Sequence, residues 1–247
     1  SHCEDSTVTF EIRPLRLDEM AMPVEWAARE GWNPGHSDAG LDHLADVRTV
    51  GLDGVVDQQH NYRRSGFVLA HRNVRYAGVA PLRVVATNGR RSITLVPAAD
   101  VDPSALERYD AAHFGAKRSD FLRAWTTDSS HRALVAVRGS DDGTAGDGTV
   151  GDVAGYGVIR PCRDGFKVGP LFATDAATAA QLIEGLVQGV APGAAIFLDP
   201  RTVNAEAVQL AESLGMRPVF ETARMYRGEP LDLPIDEVFG ITTFELG

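Results

Sequence analysis

Leu52-Asp-Gly-Val-Val-Asp-Gln-Gln-His-Asn-Tyr-Arg-Arg-Ser-Gly-Phe67 decides the fold of this 247-residue chain. The run Thr49–Asp53 that leads into it is a short apolar strand pattern ending at an acid. Val56–Ser65 predicts a short helix carrying Gln58, Gln59 and Tyr62, and Gly66 stands where a helix-ending glycine belongs. Phe67-Val-Leu-Ala70 opens another strand. A looser copy lies between Phe197 and Gly228. Leu52-Asp53 matches Leu198-Asp199, Gly66-Phe67 matches Gly215-Met216, and Tyr76-Ala-Gly78 matches Tyr226-Arg-Gly228. The spacings differ by a few residues between strand and helix and by one in the last strand, so the chain reads as a duplicated strand–helix–strand unit.

Working outward, Val8–Leu15 alternates as a strand, and Asp18 is an N-cap for a helix from Glu19 to Arg29. Ser37-Asp-Ala-Gly40 then runs directly into Leu41-Asp-His-Leu-Ala45, which has the character of the end of a second helix. Ser92–Val96 is extended. Asp100-Val-Asp-Pro103 marks a boundary, giving two domains at 1–99 and 100–247. Ser104 to Trp125 reads as one long helix, with Phe114, Phe121, Leu122 and Trp125 on one stripe beside Arg118. Strands follow at Ala133–Val137, Val153–Ile159 and Phe166–Phe172, with Ser140–Asp152 as a hairpin tip. Asp175 caps a helix from Ala176 to Gln188. Then come a strand at Ala195–Leu198, a helix at Asn204–Leu214, a strand at Arg217–Tyr226 and a last strand at Gly240–Glu245. The fold class is α/β (α+β), mixed sheets flanked by helices.

With 44% hydrophobic residues the chain can bury a large core, and it has no apolar run of membrane-spanning length. A net charge of −10 argues against a nucleic-acid partner. Ser1-His2 reads as an expression scar, and Glu4 and Asp5 stand where a basic signal-peptide region would be. Cys3 and Cys162 form neither a disulfide framework nor a metal set, and the seven histidines make no metal-binding pair, so no metal and a reducing, cytoplasmic setting are expected.

Tyr62 sits near the end of its helix, four residues before Gly66. Two readings stand for it: a general acid facing the carboxyl ends of neighbouring strands, or an amphipathic core tyrosine. Arg63 and Arg64 are either phosphate contacts or solvated charges at a helix C-terminus. Asp53 and Asp199 are either caps, the favoured reading, or site acids. His60, His71 and His113 have no evident catalytic partner.

Tyr62-Arg-Arg-Ser-Gly-Phe67 resembles the end of the helix N-x-x-A-x-x-L-Y-x-x-x-G-F that follows the fifth strand in the GCN5-related N-acetyltransferase (GNAT) superfamily. The late copy matches that frame at Asn204, Ala207, Leu210 and Gly215. The whole is similar to tandem-domain members with a degenerate second domain. The resemblance implies transfer of an acetyl group from acetyl-CoA, as co-substrate, to a primary amine of a small molecule or peptide in a ternary complex. Amides of a splayed strand pair would polarise the thioester carbonyl, and a tyrosine would protonate the leaving thiolate. Tyr62 matches that tyrosine, with Arg63 and Arg64 as cofactor contacts, whereas the late copy has Ala211. The late copy keeps helix, glycine and strand without the hydroxyl, which favours a chemical role for Tyr62. The alternative is a non-catalytic small-molecule-binding or scaffolding protein built from two decayed domains.

The family's phosphate-binding loop R/Q-x-x-G-x-G/A is missing. In the second half its place reads Phe172-Ala-Thr-Asp-Ala-Ala-Thr-Ala-Ala180, without glycine and with an acid. In the first half the loop and the central strands would fall between Gly40 and Leu41. Either a segment is omitted there, the favoured reading, or the first domain is a true deletion.

Overall fold

A computed structural model of the chain describes residues 49–82, 93–139 and 153–244. The elements expected at 8–15 and 19–29, and the junction at 40/41, lie outside the described residues. The described residues form one mixed sheet of nine strands. In chain order these are β1 (Val50–Val55), β2 (Val68–Val79), β3 (Ile93–Pro97), β4 (Arg132–Arg138), β5 (Val153–Pro161), β6 (Phe166–Ala173), β7 (Ala195–Leu198), β8 (Arg217–Arg227) and β9 (Val238–Gly240). The helices are α1 (Gln59–Arg64), α2 (Pro103–Phe114), α3 (Ser119–Thr127), α4 (Ala176–Val187) and α5 (Ala205–Ser213). The sheet order is β1-β8-β2-β7-β6-β5-β4-β3, with β9 beside β6. One apolar cluster joins α4 and α5 to the sheet through Leu182, Leu186, Ile196, Leu198 and Leu210. A second joins α2 and α3 through Leu106, Leu122, Trp125, Val135 and Tyr156.

The two copies exchange their last strands. β8, from the late copy, lies between β1 and β2, and β2, from the early copy, lies between β7 and β8. The crossings have the same register: Leu52 faces Met225 and Leu198 faces Tyr76. Where β2 and β8 run side by side, Asn73 pairs with Thr222, flanked by Arg72↔Ala223 and Val74↔Glu221. A local twofold axis therefore passes between Asn73 and Thr222.

Both helices before the exchanged strands end alike. Gly66 has φ 85° and Gly215 φ 80°. The Phe67 amide donates to the Tyr62 carbonyl, and the Met216 amide to the Ala211 carbonyl, each at 3.1 Å. This is the left-handed closure that glycine permits. Nine residues beyond each glycine stand Arg75 and Arg224. Arg75 donates to both oxygens of Asp199 (2.8 and 2.7 Å), and Arg224 to both oxygens of Asp53 (3.0 and 2.5 Å). Asp53 and Asp199 are thus neither caps nor site acids but the buried halves of two reciprocal ion pairs. Each locks one copy's strand end to the other copy's exchanged strand. The alignment of Tyr76 with Tyr226 is corrected by one position, since the equivalent residues are Arg75 and Arg224.

Other expectations change locally. The helix over 104–125 is two helices, because Gly115 takes φ 92° at the end of α2 and the chain turns before α3. Arg118, between them, lies 3.9 Å from the Phe114 ring centre and 4.5 Å from that of Phe121. The helix over Val56–Ser65 begins as a 3₁₀ turn at Val56–Gln58. The last strand is Val238–Gly240, and Ile241 to Phe244 are irregular. β3, on the amino-terminal side of the 99/100 boundary, pairs along β4.

Burial pushes the Asp199 carboxyl up, but Arg75, Lys167 and Arg160 together hold it below the usual carboxylate range. At Asp53 burial dominates over Arg224, Arg201 and Asn73, and the carboxyl is raised. The stability from Asp199 is therefore complete above the unfolded value of 3.8 and lost as pH falls through its lower folded value. That from Asp53 is present below 3.8 and lost as pH rises through its raised folded value. In urea unfolding, Asp199→Ala should cost about 3–5 kcal/mol at pH 6 by leaving Arg75 uncompensated, and less at pH 3. Asp53→Asn should cost less than Asp199→Asn at pH 6. Equal costs would contradict this assignment.

Candidate active site

Tyr62 lies on α1, and its half-buried ring covers Gly54 of β1. A Cβ on Gly54 would fall 2.2 Å from Tyr62 Cε2. Glycine is needed there because the ring presses on the strand, so Tyr62 has a packing role as well as a hydroxyl. In the late copy, Pro200 follows Asp199 where Gly54 follows Asp53, and Ala211 stands for Tyr62. Small under large has become large with small. Arg63 and Arg64 are exposed in the last turn of α1, and Arg63 Nη2 donates to Gln59 Oε1 at 3.3 Å.

The second half shows the splayed strand pair in full. β6 and β7 pair in parallel only over Phe166↔Ile196, Lys167↔Phe197 and Val168↔Leu198. Beyond that they part, and the carboxy-terminal segment fills the wedge. Its strand β9 takes the same edge of β6, pairing Gly240 with Leu171 and Val238 with Phe172. On the other side, the Ile241 amide donates to the Asp199 carbonyl at 3.0 Å. Val238, Phe239, Ile241 and Phe244 are all buried. A Cβ on Gly169 would strike the Ile241 and Thr242 carbonyl oxygens at 2.5 and 2.6 Å, which shows how closely this tail is seated.

Side chains lock the tail. Asn204 caps α5, its Oδ1 accepting from the Ala207 amide at 2.9 Å. Its Nδ2 donates towards the carbonyls of Ile235, Asp236 and Val238 at 3.2, 3.0 and 3.1 Å. His113, buried against the Phe172 ring, meets the Glu237 carboxylate at 2.9 Å. Arg118 holds Asp110 in a two-pronged pair (2.8 and 2.7 Å) and donates to Thr242 Oγ1 at 3.0 Å. At the start of α4, Asp175 Oδ1 accepts the Thr178 amide at 2.7 Å, so a carboxylate caps this helix.

A separate cleft of about 710 Å³ lies between β3, β4 and the end of α4, lined by Leu95, His131, Arg132 and Leu134. It contains none of the residues singled out from the sequence. Among the described residues no three His, Cys, Asp or Glu side chains gather as a metal site, and no helix is long and apolar enough to cross a membrane.

The family model described as an acetyltransferase (GNAT) domain matches residues 106–240, more than half of the chain. The chain belongs to the GNAT acetyltransferase family. The matched residues are those of the second half, whose helix carries Ala211. A holothin acyltransferase of Pseudoalteromonas sp. (strain SANK 73390) is 29% identical over 202 residues, covering 82% of this chain and 63% of that protein. The chain thus spans less than two thirds of that relative. Among solved structures, a putative acetyltransferase from Pyrococcus horikoshii is similar with a TM-score of 0.59 at 21% identity, over 94% of this chain and 66% of that one. A GCN5-related N-acetyltransferase from Sphaerobacter thermophilus has a TM-score of 0.50 at 16% identity, over 87% and 72%. These two support the fold, mixed sheet and flanking helices alike.

The sequence frame singled out Asn204 as a family position but gave no sign that it grips the tail. The partners of that grip are backbone carbonyls of Ile235, Asp236 and Val238, which carry no residue-type signal. Asn204→Asp keeps the cap oxygen and removes the donors. It should cost about 1–3 kcal/mol in urea unfolding and open the segment after Pro234 to limited proteolysis while α5 stays protected. Unchanged proteolysis would show that Asn204 does not hold the tail.

Proposed function

We propose that the protein is an acetyl-CoA-dependent N-acetyltransferase whose chemistry belongs to the first half, centred on Tyr62, and whose second half is a degenerate copy. The observation that carries this reading is the filled wedge between β6 and β7. The tail occupies the backbone edge that a thioester carbonyl would need. Ala211 has no proton to give, and the Asp175 carboxylate caps α4. That half keeps the family fold and lacks the means of catalysis. In the first half, α1 and its tyrosine are retained on the equivalent scaffold.

The reaction this reading assigns is direct transfer. A neutral primary amine attacks the thioester carbonyl, the C–N bond forms, and the C–S bond breaks. The Tyr62 hydroxyl gives its proton to the departing CoA sulfur, and the amine's surplus proton leaves to solvent. In this reading Arg63 and Arg64, exposed at the end of α1, would contact the CoA phosphates. The acceptor is an amine of a small molecule or peptide, no metal takes part, and the setting is cytoplasmic. The two halves divide near residue 100. A second reading, a binding or scaffolding protein without catalysis, is favoured by one fact: among the described residues the complete half is the closed one.

Steady-state turnover of acetyl-CoA, screened over amines on the full protein, separates the two. Tyr62→Phe should lower kcat about 10²-fold or more with little change in KM, within the range of general-acid effects. Gly54→Ala should lower kcat as well, because it displaces the ring while leaving the hydroxyl intact. Ala211→Tyr should restore nothing. A Tyr62→Phe variant as fast as wild type removes Tyr62 from the acid role, and absence of turnover with every amine favours the scaffold.

A further inference from the structure

The two reciprocal ion pairs do not have the same surroundings. Around Asp199–Arg75 the sheet face is sealed by aromatics. Phe220 lies opposite Arg75 on β8, and the Arg75 guanidinium sits 4.5 Å from the Phe244 ring centre. At the equivalent place beside Asp53–Arg224 stands His71, opposite Arg224 on β2. Asn73 and Thr222 face each other two residues away, and alternation puts all four side chains on one face of the sheet. Arg201 joins them from the turn after β7, its backbone forming an isolated antiparallel bridge with that of Asn73. Asn73 and Thr222 are wholly buried, and Arg201 is only 6% exposed.

Within this one cluster four buried atoms have no hydrogen-bond partner among the described residues: His71 Nε2, Asn73 Oδ1, Arg201 Nε and Thr222 Oγ1. Buried polar atoms are ordinarily paired, so four together on one patch mark a place where a ligand's polar atoms belong. The Arg201 guanidinium feels the Asp53 carboxylate through space but forms no ion pair among the described residues, while the adjacent Arg224 holds both Asp53 oxygens through Nε and Nη2. We propose that Arg201, His71, Asn73 and Thr222 bind the carboxylate of a small acid that carries a hydrogen-bond donor beside it, as an α-hydroxy acid does.

Charge and donor count choose this ligand. Ionised Asp53 stands against two guanidinium groups, Arg224 and Arg201, which leaves a surplus of one positive charge. His71 is neutral at pH 7, since burial, with Arg201 and Arg224 beside it, holds it down to about 4. Arg201 is the guanidinium without an ion pair, and burial and Arg224 lower it to about 10. A carboxylate neutralises it, whereas a phosphate dianion would leave a buried negative charge. Arg201 Nε and the Thr222 hydroxyl supply donors to the carboxylate, and a guanidinium fork suits two oxygens. Asn73 Oδ1 and the His71 lone pair are acceptors, which is why the ligand needs a donor of its own. The residues come from both halves, Arg201 and Thr222 from one and His71 and Asn73 from the other, so the strand exchange itself builds the site. It lies on the sheet face opposite the Tyr62 ring, and its occupancy needs no acyl transfer.

The test uses the full protein with glycolate as probe. At tens of millimolar and constant ionic strength, glycolate should raise the melting temperature by about 1–3 °C through mass action. At about pH 8, where inorganic phosphate is mostly the dianion, phosphate and chloride should not, and Arg201→Met should abolish the shift. Should Arg201→Met fail to fold, Arg201→Lys serves instead, keeping the charge, losing the fork and weakening the response. In the wild type, NMR titration of the His71 ring should show its pKa rising from about 4 when glycolate is bound. Four results overturn the proposal: no glycolate shift, an equal shift in the Arg201 variants, an equal shift from phosphate, or a His71 titration that glycolate leaves unmoved.

Discussion

Two buried acid–arginine pairs, Asp53–Arg224 and Asp199–Arg75, fix the arrangement on which everything else depends. Each ties the end of one copy's strand to the strand given up by the other. A single pair would hold an ordinary sheet contact. Two of them, in the same register about the Asn73–Thr222 axis, make the middle of the sheet a hybrid of both copies. Among the described residues, each copy's last strand pairs with strands of the other copy. Breaking one pair leaves a charge buried near the centre of the molecule, which is why the exchange is secure.

Symmetry of scaffold then lets the two halves diverge in chemistry. The late copy trades the glycine–tyrosine contact for Pro200 and Ala211, and its splayed strands receive the tail. Asn204, His113 and Arg118 reach that tail from three different elements, so its seat is built rather than incidental. The early copy keeps Tyr62 on Gly54, and its ion pair is bordered by polar groups instead of phenylalanines. The two copies thus share one scaffold and differ in the side chains that border it.

Much of this was legible in the residues. The glycines at 66 and 215, the paired Leu-Asp strand ends and the frame from Asn204 to Gly215 identified the duplication and the family, because backbone closures of this kind require particular residue types. The strand exchange was not legible. Each copy has the local pattern of an intact unit, and sequence periodicity does not say which copy's neighbour a strand takes. The roles of Asp53 and Asp199 were misread for the same reason, since their arginines lie 171 and 124 residues away. Gly115 broke the helix expected over 104–125, a signal that was present but outweighed by the apolar stripe. The tail's place in the wedge rests on backbone pairing and on side chains far away in the chain, Asn204, His113 and Arg118, and neither leaves a local pattern.

The central claim is that acyl-CoA is taken by the first half while the second half's wedge stays shut. Hydrogen–deuterium exchange of the full protein, with and without saturating acetyl-CoA, tests it most directly. The account predicts new protection over β1 and α1, from Val50 to Phe67, with β6 and the segment 235–244 unchanged. Protection appearing instead along β6 and the start of α4, with the tail becoming more exchangeable, would contradict it.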